Sequence, residues 1–458
     1  MTQRNKLNSS FLLTLLGIVL EISTVTAQTV SLQPVVNRFS ATDAVNYGLK
    51  NSVQVKNALL DVLIQEQTNK DLTSAALPQI NSSGNVTDYL DIPTTLLPGE
   101  IAGQPAGTFV PVQFGTKYTA NGGITLSQVL FDGQVFVGLQ ARATSISARQ
   151  KAAEVTQENI KANIYKVYYQ LVVGKTQIEL LDANIERLLK LEHDTREIYK
   201  NGFAEKLDVD KLSVQIANLQ TEKLRAINSI KNGYSGLKVL MGMPMKDSVV
   251  LTDSLSDSQI RESIIETVEY NYADRKEYQA LELNNKLNQY NIKRYQLSKI
   301  PVLSFIANYS KQAQRTAFSF FKGGTGYDWF TTSYIGLNIS IPIFNGFSTR
   351  SKISKARLEL QQSQNQLEDL KISIDNDVVV ARNSFATATA TMDFQKKNME
   401  LAELVYNQTK KKYEIGTGSS TEINAAQTDL KTAQTNYIQA LYDAIIARVD
   451  LLKAVGKL

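Results

Sequence analysis

Two segments of the chain alternate between apolar and polar residues, which is typical of strands that are apolar on one face and polar on the other. They lie at 117–131 and 333–344. Their apolar positions follow a period of two: Tyr118, Ala120, Ile124, Leu126 and Leu130 in the first, and Ile335, Leu337, Ile339, Ile341 and Ile343 in the second. A partner segment precedes each one, at 77–88 and 300–312. The sequence therefore predicts two antiparallel hairpins.

Each hairpin leads into a long segment that contains no proline and is rich in residues that favour helices. The two segments begin at similar junctions, Phe131-Asp132-Gly133 and Phe344-Asn345-Gly346, and end at similar turns around Gly202 and Gly416. At 1.5 Å per residue, each helix would be roughly 100 Å long. A shorter helical segment follows each turn, at about 205–240 and 421–455. We expect each long helix to pair with its returning helix.

The second long segment carries a coiled-coil seam, because apolar and small residues recur at spacings of three and four. The predicted seam positions are Ile353, Ala356, Leu360, Ser363, Leu367, Leu370, Ile374 and Ala381, with a gap at Asp377.

The repetition of these elements predicts a duplicated chain. We expect a first repeat at 28–242, with its hairpin at 77–131, and a second repeat at 257–458, with its hairpin at 300–344. An equatorial linker at 243–256 would join them. Each repeat would open with a further helix, at about 42–75 and 257–297.

The N-terminus predicts export, since basic residues precede an apolar run at 11–20 and a small-residue cleavage site at 25–27. We interpret residues 1–27 as a signal peptide, with a signal anchor as the alternative. No later segment has the pattern of a transmembrane helix, so any membrane insertion must use strands.

Composition argues against enzymatic and nucleic-acid-binding functions. The net charge of +5 is small for 458 residues, so nucleic-acid binding has no support. Cysteine is absent and His193 is the single histidine, so we predict no enzyme activity, no metal site and no cofactor. Gly174-Lys175-Thr176 lacks the context of a phosphate loop. Met241, Met243 and Met245 are better interpreted as packing residues than as copper ligands.

The hairpins are predicted to enter a membrane. An ordinary half-buried sheet, covered by the helices, is the alternative. However, helices roughly 100 Å long would extend far beyond a sheet of four short strands, so most of each helix could not pack on it. Open sheet edges are excluded from lipid, so several copies must pool their strands, and three copies would give twelve. An aromatic cluster would form either an interfacial girdle or a packed loop: Phe318, Phe320, Phe321, Tyr327, Trp329 and Phe330.

The sequence resembles the TolC family of outer-membrane efflux proteins in three repeated features. These features are the strand starts at Leu77-Pro78 and Ile300-Pro301, the two strand-to-helix junctions, and the turns from Gly202 to Val209 and from Gly416 to Ile423. The resemblance implies a mixed α/β membrane protein. In it, four strands per chain contribute to a 12-stranded trimeric transmembrane barrel, joined to a coiled-coil helical tunnel in the periplasm.

The same resemblance implies an outer-membrane exit channel of a tripartite efflux or type I secretion system. Its expected partners are two further copies, a periplasmic adaptor protein, an inner-membrane transporter and outer-membrane lipid. A periplasmic adaptor and a structural coiled-coil protein remain alternatives. An adaptor would carry one helical hairpin inside a split lipoyl-like domain, and neither alternative would need detergent.

The resemblance also implies a periplasmic gate formed by Asp208, Glu422 and Tyr413. The acidic pair has an alternative interpretation as charge at helix N-termini. Gly418 and Ala425 replace a basic and an acidic residue of the family, so the closing contacts should differ here. The turns are the farthest points from the membrane, and they form the predicted adaptor-docking tip: Asn201, Gly202, Phe203, Ile415, Gly416 and Thr417.

Overall fold

The structure is a computed structural model that describes residues 36–255 and 269–458. The predicted signal peptide, residue 256 of the linker and residues 257–268 of the following helix lie outside the described residues. A four-stranded sheet lies at one end of a bundle of helices, two of which are very long.

The strands of this sheet are β2 (Gln79–Asp88), β5 (Tyr118–Phe131), β7 (Val302–Arg315) and β8 (Phe330–Ser340). The sheet is antiparallel, with the strand order β2–β5–β7–β8. Both predicted hairpins are present, and pairing of β5 with β7 joins them. The predicted end of β8 at 344 is wrong. The strand ends before Pro342, which cannot donate a ladder hydrogen bond.

The register aligns residues of like polarity across the sheet. One row contains Ile80, Leu126, Ala307 and Ile335 on the apolar face. The next row lies on the polar face and pairs Asn81 with Thr125 and Thr125 with Asn308, whose amide donates to the threonine hydroxyl at 2.9 Å. Because neighbouring residues of a strand point to opposite faces, this register gives the sheet one apolar and one polar surface.

The two long helices are α3 (Gly133–Lys200, 68 residues) and α6 (Ser348–Glu414, 67 residues), each roughly 100 Å long. They pack along the returning helices α4 (Lys206–Met241) and α7 (Ser420–Ala454). The two junctions differ. Asp132 caps α3 by accepting a hydrogen bond from the Gln134 amide at 2.8 Å, whereas α6 begins only after Phe347, which has φ 63°.

The predicted seam of α6 is correct in position except at its gap. Five of the eight predicted residues are buried, and Leu360, Leu367 and Leu370 are half-buried. Val378 continues the seam between Ile374 and Ala381 with 1% of its surface exposed. Asp377 is exposed instead, and its carboxylate lies 3.6 Å from the Arg275 guanidinium.

The described parts of the two predicted opening helices depart from one continuous helix. The first divides at Ser52 into α1 (Ala41–Asn51) and α2 (Val53–Ser74), because Ser52 has an extended ψ of 131°. In the second, the description begins at residue 269, where residues 269–275 contain a 3-10 turn and α5 (Lys276–Leu297) follows as a helix. Side-chain contacts hold this segment, since the hydroxyls of Tyr270 and Tyr272 both donate to Asp375, at 2.6 and 3.1 Å.

Two small sheets were not predicted. The parallel pair β1 (Val36–Phe39) and β6 (Ser248–Leu251) places a strand inside the expected linker. It lies beside the middle of α3, where the buried Tyr168 hydroxyl donates to the Phe39 carbonyl at 2.8 Å. The hairpin β3 (Thr94–Pro98) and β4 (Phe109–Gln113) lies in the loop between β2 and β5.

The methionines and the histidine have ordinary positions. Met241 and Met243 are buried in the core cluster around Tyr168, and Met245 is exposed. His193 is exposed on α3.

Candidate functional site

The two tip turns have the same backbone structure. In the first, the Gly202 amide donates to Tyr199 and the Phe203 amide donates to Ile198, at 2.9 and 3.0 Å. In the second, Gly416 donates to Tyr413 and Thr417 donates to Lys412, both at 3.0 Å. Both glycines are left-handed, with φ 80° and 77°. This hydrogen-bond pattern ends a helix abruptly and reverses the chain.

The predicted tip residues are exposed at these turns. Phe203 and Ile415 are 85% and 73% exposed, and Asn201 and Thr417 flank them as exposed polar residues. Large apolar side chains exposed at both turns of one end of the bundle are a feature of surfaces that contact other proteins.

A single apolar cluster joins the four helices just behind the turns. It takes leucines from α3, leucines and one isoleucine from α4, Tyr406 from α6, and further apolar residues from α7: Leu181, Leu188, Leu191, Leu212, Ile216, Leu219, Tyr406, Ile423, Ala426 and Leu430. The tip is therefore one four-helix unit.

Tyr413 connects the end of α6 to α3 within this unit. Its hydroxyl shares a hydrogen bond of 3.0 Å with the hydroxyl of Thr195, which is fully buried. Sequence reasoning missed Thr195. The available signal was its place in the spacing of Leu188 and Leu191, where a polar residue interrupts an apolar seam and needs a partner.

The two acidic gate candidates both lie in the first turn of a helix. Asp208 begins α4, and its carboxylate lies 3.8 Å from the Lys211 ammonium. Glu422 begins α7, is exposed, and donates its backbone amide to the Ser419 hydroxyl. These positions favour an acidic side chain through the helix dipole alone, so both interpretations fit the geometry.

A buried polar layer lies above the tip cluster, between α3 and α7. The Asn184 amide donates to Gln434, and the Gln427 amide donates to Asn184, at 3.2 and 2.9 Å. Arg187 donates to the Asn184 side chain at 2.9 Å. Such layers are less cohesive than apolar ones and fix the register of neighbouring helices. Sequence analysis missed this layer too.

Among the residues that the structure describes, no helix combines the length and the hydropathy that crossing a membrane requires. The described ranges also contain no cluster of residues suited to holding a metal ion.

Residues 272–457 match the family model described as "Outer membrane efflux protein". The outer membrane protein TolC of Vibrio cholerae is 21% identical, over 73% of this chain and 76% of its own length. The outer membrane efflux protein BepC of Brucella suis is 22% identical, over 91% of this chain and 85% of its own.

Solved structures share the whole fold. The CusC channel structure superposes with a TM-score of 0.72 at 14% identity, covering 91% of this chain and 92% of that one. The CmeC outer membrane channel of Campylobacter jejuni also gives 0.72, at 16% identity, with 91% and 85% covered.

The fold and these relatives define an outer-membrane channel with a helical tunnel in the periplasm. The family match over residues 272–457 and these relatives together indicate a TolC-family outer-membrane efflux protein. It is an outer-membrane exit channel for efflux or secretion, and its family consists of channel proteins rather than enzymes. The alternatives of a periplasmic adaptor and a structural fibre have no support among these relatives.

Proposed function

We propose that three copies of this chain form one continuous exit conduit, in which a twelve-stranded barrel opens into a helical tunnel. Substrates would reach the tunnel from an inner-membrane transporter through a periplasmic adaptor that docks at the tip. The two repeats at 28–242 and 257–458 would each contribute two strands and one long hairpin of helices, and 243–256 would link them at the waist.

The open edges of the sheet carry this proposal. Strands β2 and β8 each have one neighbour in the sheet, and every residue of β8 is exposed. In lipid, each unpaired backbone group costs several kcal/mol, so an open edge cannot persist there. Pairing β2 of one copy with β8 of the next removes both edges. Three copies then close a barrel of twelve strands, which is wide enough for a polar lumen.

The long helix α6 supports the same assembly, because it has a second apolar stripe that its own chain leaves exposed. Ile372 and Val379 are 68% and 56% exposed, and Phe394 and Leu401 are 69% and 58% exposed. Each pair is separated by seven residues, the spacing that returns to one side of a coiled coil. We infer that this stripe packs against a neighbouring copy.

The polar face of the sheet would then line the pore. A row of amide side chains crosses three strands there, since Asn85 pairs with Asn121 and Asn121 pairs with Gln312. The opposite face, with Ile80, Leu126 and Ile335, would contact the acyl chains of outer-membrane lipid.

Gating is proposed at the tip. Three copies each of Asp208 and Glu422 would ring the mouth, where converging like charges attract cations and repel one another. The Tyr413–Thr195 hydrogen bond would hold the end of α6 against α3 while the mouth is closed. An adaptor that docks on Asn201, Gly202, Phe203, Ile415, Gly416 and Thr417 would shift this balance.

Cysteine crosslinking tests the edge pairing, because the chain has no native cysteine. We would combine Ile80→Cys on β2 with single cysteines at Ile335, Leu337 or Ile339 on β8. One of these combinations should give disulfide-linked trimers on a non-reducing gel.

The matched control places the first cysteine at Leu126 on β5, which β7 separates from β8. Two strand spacings are about 9.6 Å, too far for a disulfide. Monomers from every combination of β2 with β8 would contradict the proposed barrel.

A further inference from the structure

The loop between β7 and β8, residues 316–329, is folded against the sheet. Phe320 is 6% exposed and packs on Ala120 and Ala313. These two alanines are direct register partners on the central strands, and they share the face that carries Leu126 and Ala307. The loop therefore covers the apolar face of the sheet, on the side opposite the polar lumen.

Polar and aromatic contacts fix this position. The guanidinium of Arg315, at the end of β7, donates to the Asp328 carbonyl at 3.1 Å and lies over the ring of Tyr327 at 5.7 Å. The ring of Phe320 lies 6.2 Å from Trp329 and 5.5 Å from Phe318. The start and the end of the loop are thus held together on the same patch of sheet.

Other aromatic residues of the loop are exposed, although the buried cluster around Phe320 lies beside them. Phe321 is 94% exposed, Phe318 is 61% exposed, and Trp329 is 40% exposed. They lie at the end of the sheet away from the helices, because β5 begins at Tyr118 here and enters α3 only after Phe131. Aromatic residues on the outer face of a barrel are characteristic of the membrane–water interface.

Lysine side chains flank the aromatic patch. The Lys117 ammonium lies 5.4 Å from the ring centre of Tyr118, and Tyr118 itself contacts Phe318. Lys322 follows Phe321, and Lys311 is exposed on the same face of β7 as Ala313. Arg315 is a fourth basic residue at this end of the sheet, where the carboxylates are Asp88, Asp91, Glu100 and Asp328.

We propose that residues 316–329 anchor the channel in the outer leaflet, and that Lys117, Lys311 and Lys322 bind the phosphate groups of an anionic lipid there. Ammonium groups near an anionic membrane surface are attracted to it, and the exposed aromatic rings enter the interface beside them. A neighbouring copy does not suit this patch, since β2 and β8 are the edges and the patch lies on β5 and β7.

The anchor rests on the proposed function, because the apolar face must contact lipid. It predicts that the loop stays at the outer surface of the barrel and leaves the pore mouth open. The lipid is identified by its chemistry, acyl chains below a phosphate-bearing headgroup, for which lipid A is a suitable probe.

Trp329 is the single tryptophan of the sequence, so its fluorescence reports on the loop directly. The full-length protein would be placed in phosphatidylcholine vesicles whose acyl chains carry bromine at shallow or deep positions. We expect strong quenching by the shallow bromine and little quenching by aqueous iodide. Quenching by iodide without quenching by either bromolipid would overturn the anchor.

Membrane insertion is measured separately, by resistance to alkaline extraction. Protein that resists extraction while Trp329 faces water contradicts the anchor and leaves the barrel intact. Protein that is extracted contradicts the barrel and the anchor together.

Two sets of variants test the parts of the anchor. Phe321→Ser should move Trp329 towards water, whereas Leu90→Ser, at an equally exposed position in the other hairpin's loop, should not. A triple variant that replaces Lys117, Lys311 and Lys322 with Gln should weaken lipid A binding by about fivefold for each lysine removed. The control triple variant replaces three exposed helix lysines, Lys206, Lys231 and Lys397, with Gln. Equal lipid A binding by both triple variants would refute the phosphate contact.

Discussion

At the residue scale, Gly202 and Gly416 determine how the long helices end. No atom lies within 4 Å of a Cβ built at either position, so space does not explain the glycines. Their positive φ explains the glycines, because the Cβ of any other residue in the left-handed region would lie too close to the following carbonyl oxygen.

Gly416→Ala should therefore weaken the tip by about 1 to 2 kcal/mol, the cost of placing a side chain in the left-handed region. Faster hydrogen exchange of the amides around residue 416 would reveal it. The control, Gly236→Ala, lies in α4 with equally open space and helical φ, so it should be neutral or stabilising by up to about 1 kcal/mol. Equal exchange in both variants would show that φ is not the constraint.

Tyr413 gives a second prediction at this scale. Tyr413→Phe removes the hydroxyl that bonds Thr195 and leaves a buried hydroxyl without its partner. We expect the mouth to open more often, measured as higher open probability in planar bilayers. Tyr199→Phe is the matched control, since Tyr199 occupies the equivalent turn of the first repeat and is 42% exposed. An identical open probability in the two variants would show that the Tyr413 hydroxyl does not contribute to gating.

At the element scale, the strand register gives the sheet one apolar face and one polar face. Charge on the lipid face of a barrel costs about 2 to 4 kcal/mol near the midplane, whereas the lumen face tolerates it. Leu126→Lys and Ile339→Lys should therefore reduce the membrane-assembled fraction strongly. Thr125→Lys and Asn338→Lys, one residue away on the other face, should reduce it little. Comparable losses on both faces would contradict the assignment.

The long elements could be predicted from sequence because their signals are long. A period of two over a whole strand and proline-free segments ending at glycine leave few alternatives. The short strands β3 and β4 gave no such signal, since each contains a proline, Pro98 and Pro111.

The remaining element errors have tertiary causes. The Val378 seam position follows from 3.6 residues per turn, which drifts against a strict spacing of three and four. The segment at 269–275 is held out of a helix by distant partners, Asp375 on α6 and the Ala454 carbonyl that accepts from buried Arg275. A single sequence does not reveal which residues these partners are.

At the whole-molecule scale, the acidic ring would make the mouth cation-selective. Replacing Asp208 with Asn and Glu422 with Gln should shift the reversal potential towards zero in a salt gradient, because the converging charge is lost. Asp210→Asn combined with Asp429→Asn removes the same net charge from exposed positions on the same helices and serves as control. An unchanged reversal potential in the Asp208 and Glu422 double variant would indicate that both residues act only as charges at helix N-termini.

The candidate site was predicted unevenly at this scale. The turns and their glycines follow from chain geometry, whereas Thr195 and the Asn184 layer depend on which helices meet. The exposed apolar stripe of α6 is a further example, since the partner that we propose for it is a neighbouring copy rather than a segment of the same chain.

Native mass spectrometry of the detergent-solubilised protein would measure how many copies form the channel. We expect a complex with three times the mass of one mature chain, because three copies are needed to close the edges of β2 and β8. A folded, detergent-bound species of one or two chains would leave those edges open and would contradict the proposed channel.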